Sequence, residues 1–540
     1  GKDASPDAVL DAVRTLLGRG VFASAVVLVE GLALLQAALL SVPTQLQSPV
    51  LRLAELLGAS VRRWTEDNFL ADDPQRHVWQ VVDVVMASIV GSFRHGLYTD
   101  PRGFDAINDY DCREWLRMNG ASELALQSPF VRGLYDLSFA YPDGENGSFA
   151  AGTALRGGLR MFCGYRGAPF WRMSAGMGDV VFAPLYQLLQ ARGVRFEFFH
   201  RLTNVGIAGE GPVEPETRSH VASLDFEVQA KVSGGKAYAP LVEVRGPPCW
   251  PAQPDWTQLE GGSGLKRRGV DFESHWDRRH AETRRLEVGQ DFDFVVLAVG
   301  LGAIPHVAGE LVARDRRWRD MVEKVPTVAT QAFQVWLAED LQQLGWRGPP
   351  HIVSAFDKPF DTWCDMAHVT PAEGWSHPPA TSVYFCSVLP EVEEEADAPA
   401  RSAERVRLAA TRFLAERARH LWPGACAPGG DFRWELLVDA AADGQSPQEQ
   451  APSGPERFRT QYWRANVNPS ERYVLATPNS VRYRISPLDI TYDNLTLAGD
   501  WTECGLNMGC TEAAVISGRL AAHALSGRPA LEDVVGYDHP

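Results

Sequence analysis

The stretch from Asn494 to Pro529, NLTLAGDWTECGLNMGCTEAAVISGRLAAHALSGRP, constrains this chain more than any other. A short apolar strand runs into a glycine-containing turn, and a helix starting near Gly509 follows until Gly527 and Pro529 stop it. Strand, turn and helix in that order bring several main-chain N–H groups and the positive end of a helix to one pocket at the carboxyl edge of a sheet. Such a pocket stabilises negative charge on a bound group. Asp500, just past the strand, is placed to accept hydrogen bonds from ligand hydroxyls, and Gly499 permits close approach to the backbone. Gly509, Ala513, Ala514 and Gly518 place small residues along the helix, as close packing on a strand or a ligand requires.

A chain of 540 residues has room for about two to four domains. With 45% apolar and 22% charged residues its composition is globular rather than disordered. A net charge of -16, with no basic block to offset it, opposes nucleic-acid binding. The eight cysteines show neither a CxxC nor paired histidine spacing, so no metal site and no disulfide framework is expected, and a reducing, cytoplasmic setting fits. The apolar run 21–43 is interrupted by Glu30 and Gln36 and lacks a basic flank, which predicts a buried or surface-docked helix rather than a membrane span or signal peptide.

Through residues 6–140 apolar positions recur at three and four, as in Leu51, Leu53, Leu56 and Leu57 and again in Val81, Val82, Val85 and Ile89, and predict a helical layer. From Ser174 the pattern changes. Gly193 reads as a helix stop, Pro184 as a first-turn or kinking residue, and VRFEFF (194–199) as a strand. VASLDFEVQAKV and YAPLVEV read as extended, followed by a loop over 246–288. Phe294 to Val299 is a continuous apolar run, the pattern of a parallel strand covered on both faces, which puts Gly300 at a carboxyl end. Residues 303–470 are mixed, with a strand TVATQAFQVWL, a loop over 391–400 and a polar loop DGQSPQEQAPSGPE.

The segment from Asn494 resembles the C-terminal flavin motif of phytoene desaturases, squalene-related desaturases and amine oxidases. AGMGDVVFAPLYQLLQARGVRFEFFHRLTNV, FDFVVLAVGLGAIP and QYWRANVNPSERYVLATPNSVRYRISP extend the resemblance in the expected order. It implies an α/β chain with a doubly wound FAD-binding domain of the glutathione-reductase type, a mixed α+β substrate domain and a helical region. The divisions expected are 1–173 (helical and substrate region), 174–302 (middle section of the FAD domain), 303–470 (substrate domain) and 471–540 (C-terminal section of the FAD domain). The implied cofactor is FAD. Leu202 would meet the adenine through its backbone, and Val299 and Gly300 would pass near the dinucleotide. Gly499 and Asp500 would meet the ribityl chain and pyrophosphate, and Asn507, Met508 and Gly509 the pyrimidine edge. Gly176, Met177, Gly178, Trp501 and Cys510 complete the expected set.

The family's N-terminal strand, GxGxxG turn and following acid are not found; GLGAIP offers Gly300 and Gly302 but has Pro305 at the third position. The first methionine is Met86. Together these lead to the expectation that an ADP-binding segment lies upstream or on a separate chain, as an N-terminal fragment or second subunit.

Flavin itself accepts the hydride, so the protein binds it, aims a substrate C–H and excludes water. Resemblance to amine oxidases implies a lysine on a cavity-lining strand, but the corresponding TVATQAFQVWL holds Gln331 and Gln334, with Lys324 and Lys358 flanking it. Phe360, Trp363 and Met366 read as a greasy cavity wall or plain core. His200, His306 and His368 are acid–base candidates by type, and Cys504 is either reactive or a small apolar residue. No catalytic residue is assigned. Three functions stay open. The first is redox transformation of an apolar, isoprenoid or polyene-like substrate, with peripheral membrane contact through the helical region. The second is an amine or amino-acid oxidase releasing hydrogen peroxide, an arginine pairing with a substrate carboxylate. The third is a non-catalytic prenyl-binding relative.

Overall fold

The computed structural model describes residues 73–165, 170–216, 218–348, 352–390, 397–439 and 452–537. The apolar run 21–43, the leucines at 51–57 and most of the two polar loops expected over 391–400 and 443–456 lie outside these residues.

The helical layer consists of α1 (Asp73–Arg94), α2 (Cys112–Met118), α3 (Glu123–Leu126), α4 (Pro129–Leu137) and α5 (Ala151–Leu159). Side-chain caps start three of these helices: Asp111, Ser122 and Ser128 each accept a first-turn N–H. Asp111 also receives the Tyr135 hydroxyl at 2.8 Å and the Phe149 N–H at 3.0 Å, so one carboxylate ties three segments together. The period of α1 is as expected but its phase is turned. Trp79, Val84, Ala87 and Val90 are buried with Ile89, whereas Val81, Val82 and Val85 are half-buried.

A π-helical turn, Gly178–Phe182, leads into α6 (Ala183–Ala191), with Pro184 in its first turn and Gly193 at φ 86° just beyond it. The strand expected over 194–199 is not formed; the chain joins a sheet only at β1 (His200–Ile207). That strand pairs antiparallel with β2 (Val221–Val228). YAPLVEV shortens to β3 (Val242–Glu243), paired with β4 (Pro248–Cys249). The expected 246–288 loop contains α7 (Gly262–Arg267) and the whole of β5 (Glu282–Glu287), the third strand of the β1–β2–β5 sheet.

Next come β6 (Val295–Leu297), α8 (Ile304–Val307), α9 (Gly309–Arg314) and α10 (Arg316–Lys324). The large antiparallel sheet uses β7 (Thr327–Leu337), β8 (Ile352–Val353), β9 (Thr362–Asp365) and β10 (Thr381–Leu389). After α11 (Ala398–Leu421) it is completed by β11 (Tyr462–Asn466), in the order β11–β7–β10–β9–β8, with β12 (Tyr473–Val474) also on β7. Phe333 faces Phe385 in register, their rings stacked 4.5 Å apart, and α11 closes this core through Phe413 and Leu414. Phe360 and Trp363 lie fully buried in the same core, so they are packing residues and not a cavity wall.

Finally, β13 (Leu495–Leu497) pairs parallel with β6, and α12 (Thr511–Ser526) follows it. Among the described residues this pair is all there is of the expected doubly wound parallel sheet. The described residues cover one face of this run and not both: Val295 and Leu297 are buried, but Phe294 is 59% and Val296 45% exposed. No helix among the described residues is long and apolar enough to cross a membrane.

The helical layer is fastened to the large sheet by a charge cluster whose two carboxylates, Asp136 and Asp361, are buried. The Tyr141 hydroxyl donates to Asp136, whose other oxygen accepts the Ala355 N–H at 3.0 Å. Lys358 lies 3.6 Å over the Tyr141 ring, donates to the Gly144 carbonyl at 3.1 Å and stands 3.8 Å from Asp361. Burial first, and neighbouring Asp136 second, push Asp361 up to about 6. The folded value is thus above that of a free carboxyl, so as pH rises from about 4 to about 6 the unfolded chain has released a proton that the folded protein still holds. This group's contribution to stability falls over that interval. Asp361→Asn is therefore expected to gain on the wild type as pH climbs through that window in thermal denaturation; parallel Tm profiles would contradict the assignment.

Candidate functional site

The turn between β13 and α12 is shaped by steric demands that few residues meet. Gly499 has φ 150°, and a Cβ there would lie 2.5 Å from Nε1 of Trp501. That indole is buried and donates to the Val299 carbonyl at 2.8 Å, tying the segment after β13 to the segment after β6. The Gly499 N–H donates to Ser517 Oγ on α12 at 3.0 Å, and the Thr502 hydroxyl sits 2.9 Å from the Gly499 carbonyl and 2.7 Å from Ser517 Oγ. Asn507 adopts φ 57° and accepts the Cys504 N–H at 2.8 Å through its side chain. Cys510 caps α12 by accepting the Ala513 N–H, so the helix begins two residues beyond Gly509.

Asp500 is the polar group this turn leaves open. Its carboxylate is half-buried and accepts a hydrogen bond from its own main chain alone. Burial raises its pKa, opposed by the nearby Arg484 guanidinium. A carboxylate with free lone pairs beside a helix amino end is the donor and acceptor set that a ribityl chain and an electron-rich ring need. The residues present therefore fit a flavin, which when bound supplies the hydride-accepting chemistry.

The turn and its neighbour strand bring together Val299, Gly499, Asp500, Trp501, Asn507, Met508, Gly509 and Cys510. Two of the glycines have a packing reason of their own. A Cβ at Gly300 would meet the Ser470 carbonyl at 2.9 Å, and one at Gly509 the Tyr473 ring at 2.6 Å. Met508 reaches Gly157 on α5. Leu202 lies on β1 against the core that holds Val295 and Trp501. Gly176 and Gly178 neighbour Asp179 and Trp250, Met177 is 40% exposed, and no hydrogen bond links the three to the turn.

Three residues of the site escaped the sequence reading: Ser517, Tyr473, whose hydroxyl donates to the Gly509 carbonyl, and Arg484, whose Nη1 donates to the Asp500 carbonyl at 2.7 Å. All lie in stretches that carried the resemblance, but nothing in their spacing marks them. Other candidates are structurally committed. Gln331 donates to the Pro359 and Val388 carbonyls and to Ser387 Oγ. Cys504 is fully buried, which raises its pKa and keeps the thiol neutral. Nδ1 of His200 contacts the Phe198 carbonyl at 2.7 Å, Nε2 of His368 the Met173 carbonyl at 2.8 Å, and His306 packs on His275 at 4.5 Å.

If Ser517 Oγ holds the turn to α12, Ser517→Ala leaves the Gly499 N–H without its acceptor. The expected loss is about 1–3 kcal/mol in thermal or urea denaturation; an unchanged transition would show that the turn is held otherwise.

Residues 270–526 match the family described as flavin containing amine oxidoreductase. No curated protein matches the chain. Among solved structures, the chain is similar to an oxidoreductase from Methanosarcina mazei at 10% identity and TM-score 0.39, with 76% of this chain and 67% of that chain covered. The matched segment, a little under half of the chain, holds β6, the large sheet and the whole turn before α12, and in keeping with that similarity the protein is an FAD-dependent oxidoreductase.

Proposed function

We propose that the 499–510 turn holds the flavin of an enzyme that takes hydride from a hydrophobic, isoprenoid or polyene-like substrate. The supporting observation is the character of the large sheet's face turned away from α11. By strand alternation it presents Thr330, Ala332, Gln334 and Trp336 from β7 and Tyr384 and Cys386 from β10. Opposite Ala332 stands Arg464, paired with Glu471. Cys386 is pushed up to about 12 by burial and stays neutral. An ammonium substrate finds no free carboxylate on these strands, and a carboxylate substrate no free cation, whereas an apolar chain meets rings, methyls and a thiol. The test is an anaerobic half-reaction on the flavin-loaded protein. Bleaching by polyene or isoprenoid hydrocarbons is expected, and peroxide release with amines or amino acids but no bleaching by polyenes would overturn the reading.

The same reading includes a further polypeptide unit that supplies donors for the ADP half of FAD. It is supported by the open side of β6 and by residues 194–198, which pair with no described strand while Val194 and Phe196 are exposed. It is also supported by α6, whose Leu185, Leu188 and Leu189 face outward. Parallel strands are ordinarily covered on both faces. The 540-residue chain on its own is expected to bind FMN and FAD with nearly equal affinity in a fluorescence titration. A preference for FAD of about tenfold, or 1.4 kcal/mol, would place the ADP site on this chain instead.

A further inference from the structure

Arg484 is a cation in an unusual place. It is 6% exposed, donates through Nη1 to the Asp500 carbonyl at 2.7 Å and through Nη2 to the Leu475 carbonyl at 3.1 Å, and its buried Nε has no hydrogen-bond partner. A buried guanidinium held only by neutral carbonyls is costly unless a charge nearby compensates it. The neighbours that act on it are Cys504, Asp500, Tyr473 and Cys510. Burial raises both thiols and the phenol and keeps them neutral, which leaves Asp500 as the carboxyl group of the set, itself raised by burial and lowered again by Arg484. Arg484 also borders a cavity of about 210 Å³, whose carboxylates are engaged elsewhere, Asp489 with Arg317 and Asp320 with Arg316. The carboxylate that acts on Arg484 is Asp500, on the turn side.

We propose that Arg484 is a positioning residue of the flavin site: its fork fixes the Asp500 peptide, and its charge opposes the Asp500 carboxylate, so that the pair sets the potential at which a flavin held at the turn is reduced. The proposal rests on the placement of the flavin at the 499–510 turn. Two distinct jobs are separated by chemistry. Holding two carbonyls needs the planar, multi-donor fork of arginine, which lysine lacks, whereas balancing a carboxylate needs only a positive charge. A positive charge near the ring favours the added electrons of the reduced form and a negative charge opposes them.

The experiment compares wild type, Arg484→Met, Arg484→Lys and Asp500→Asn for flavin affinity by fluorescence and for the midpoint potential of the bound flavin by dye-coupled reduction. Arg484→Met is expected to lower the potential and Asp500→Asn to raise it. Arg484→Lys is expected to lose about tenfold in flavin affinity while keeping a potential nearer the wild type than Arg484→Met does. A role confined to folding moves both substitutions the same way or not at all, and either result overturns the proposal. Where Arg484→Met does not fold, an unmoved potential in Asp500→Asn is sufficient to overturn it. A wild-type chain that takes up no flavin removes the site reading and this proposal together, which differs visibly from a flavin-bound wild type with indifferent variants.

Discussion

The hydrogen bond from the Trp501 indole to the Val299 carbonyl is the constraint from which the geometry of the site follows. β6 and β13 run parallel, so no hairpin joins them and the chain segments leaving their carboxyl ends have no covalent reason to stay together. The indole bridges them. Because it lies where a Cβ of residue 499 would stand, it makes glycine obligatory there. Ser517 then draws the Gly499 N–H toward α12, and the turn is pinned on both flanks with the Asp500 carboxylate left unclaimed between them.

Tyr473 extends this local arrangement to the rest of the molecule. Through β12 it pairs with Val328 of β7, its hydroxyl reaches the Gly509 carbonyl, and the Phe139 ring of the helical layer meets it edge-on at 5.0 Å. Sheet, turn and helices thus converge on one side chain. The sheet has two unlike faces. One is filled by stacked aromatics and α11, and the other is half-buried and almost without free charge.

Much of the local structure was legible beforehand. Gly193 and Gly527 end helices in left-handed conformations, Pro184 stands in a first turn, and TVATQAFQVWL is one continuous strand. The strand–turn–helix of the site was read with its helix start two residues early, since Cys510 rather than Gly509 is the cap. Other readings failed for want of a partner. VRFEFF has the pattern of a strand, but no described strand pairs with 194–198, and Phe360 and Trp363 have a cavity wall's composition while packing against α11.

Linear sequence by itself determined the helix stops, the first-turn proline and the existence of a glycine turn after an apolar strand. These depend on steric limits on φ and on hydrogen bonds spanning a few residues. Only the tertiary structure decided that Trp501 would reach Val299, that Gln331 would be spent on carbonyls and that Arg484 would donate to the Asp500 carbonyl. In each case the partner is many residues away, and burial and pairing belong to the assembled packing rather than to any stretch of chain.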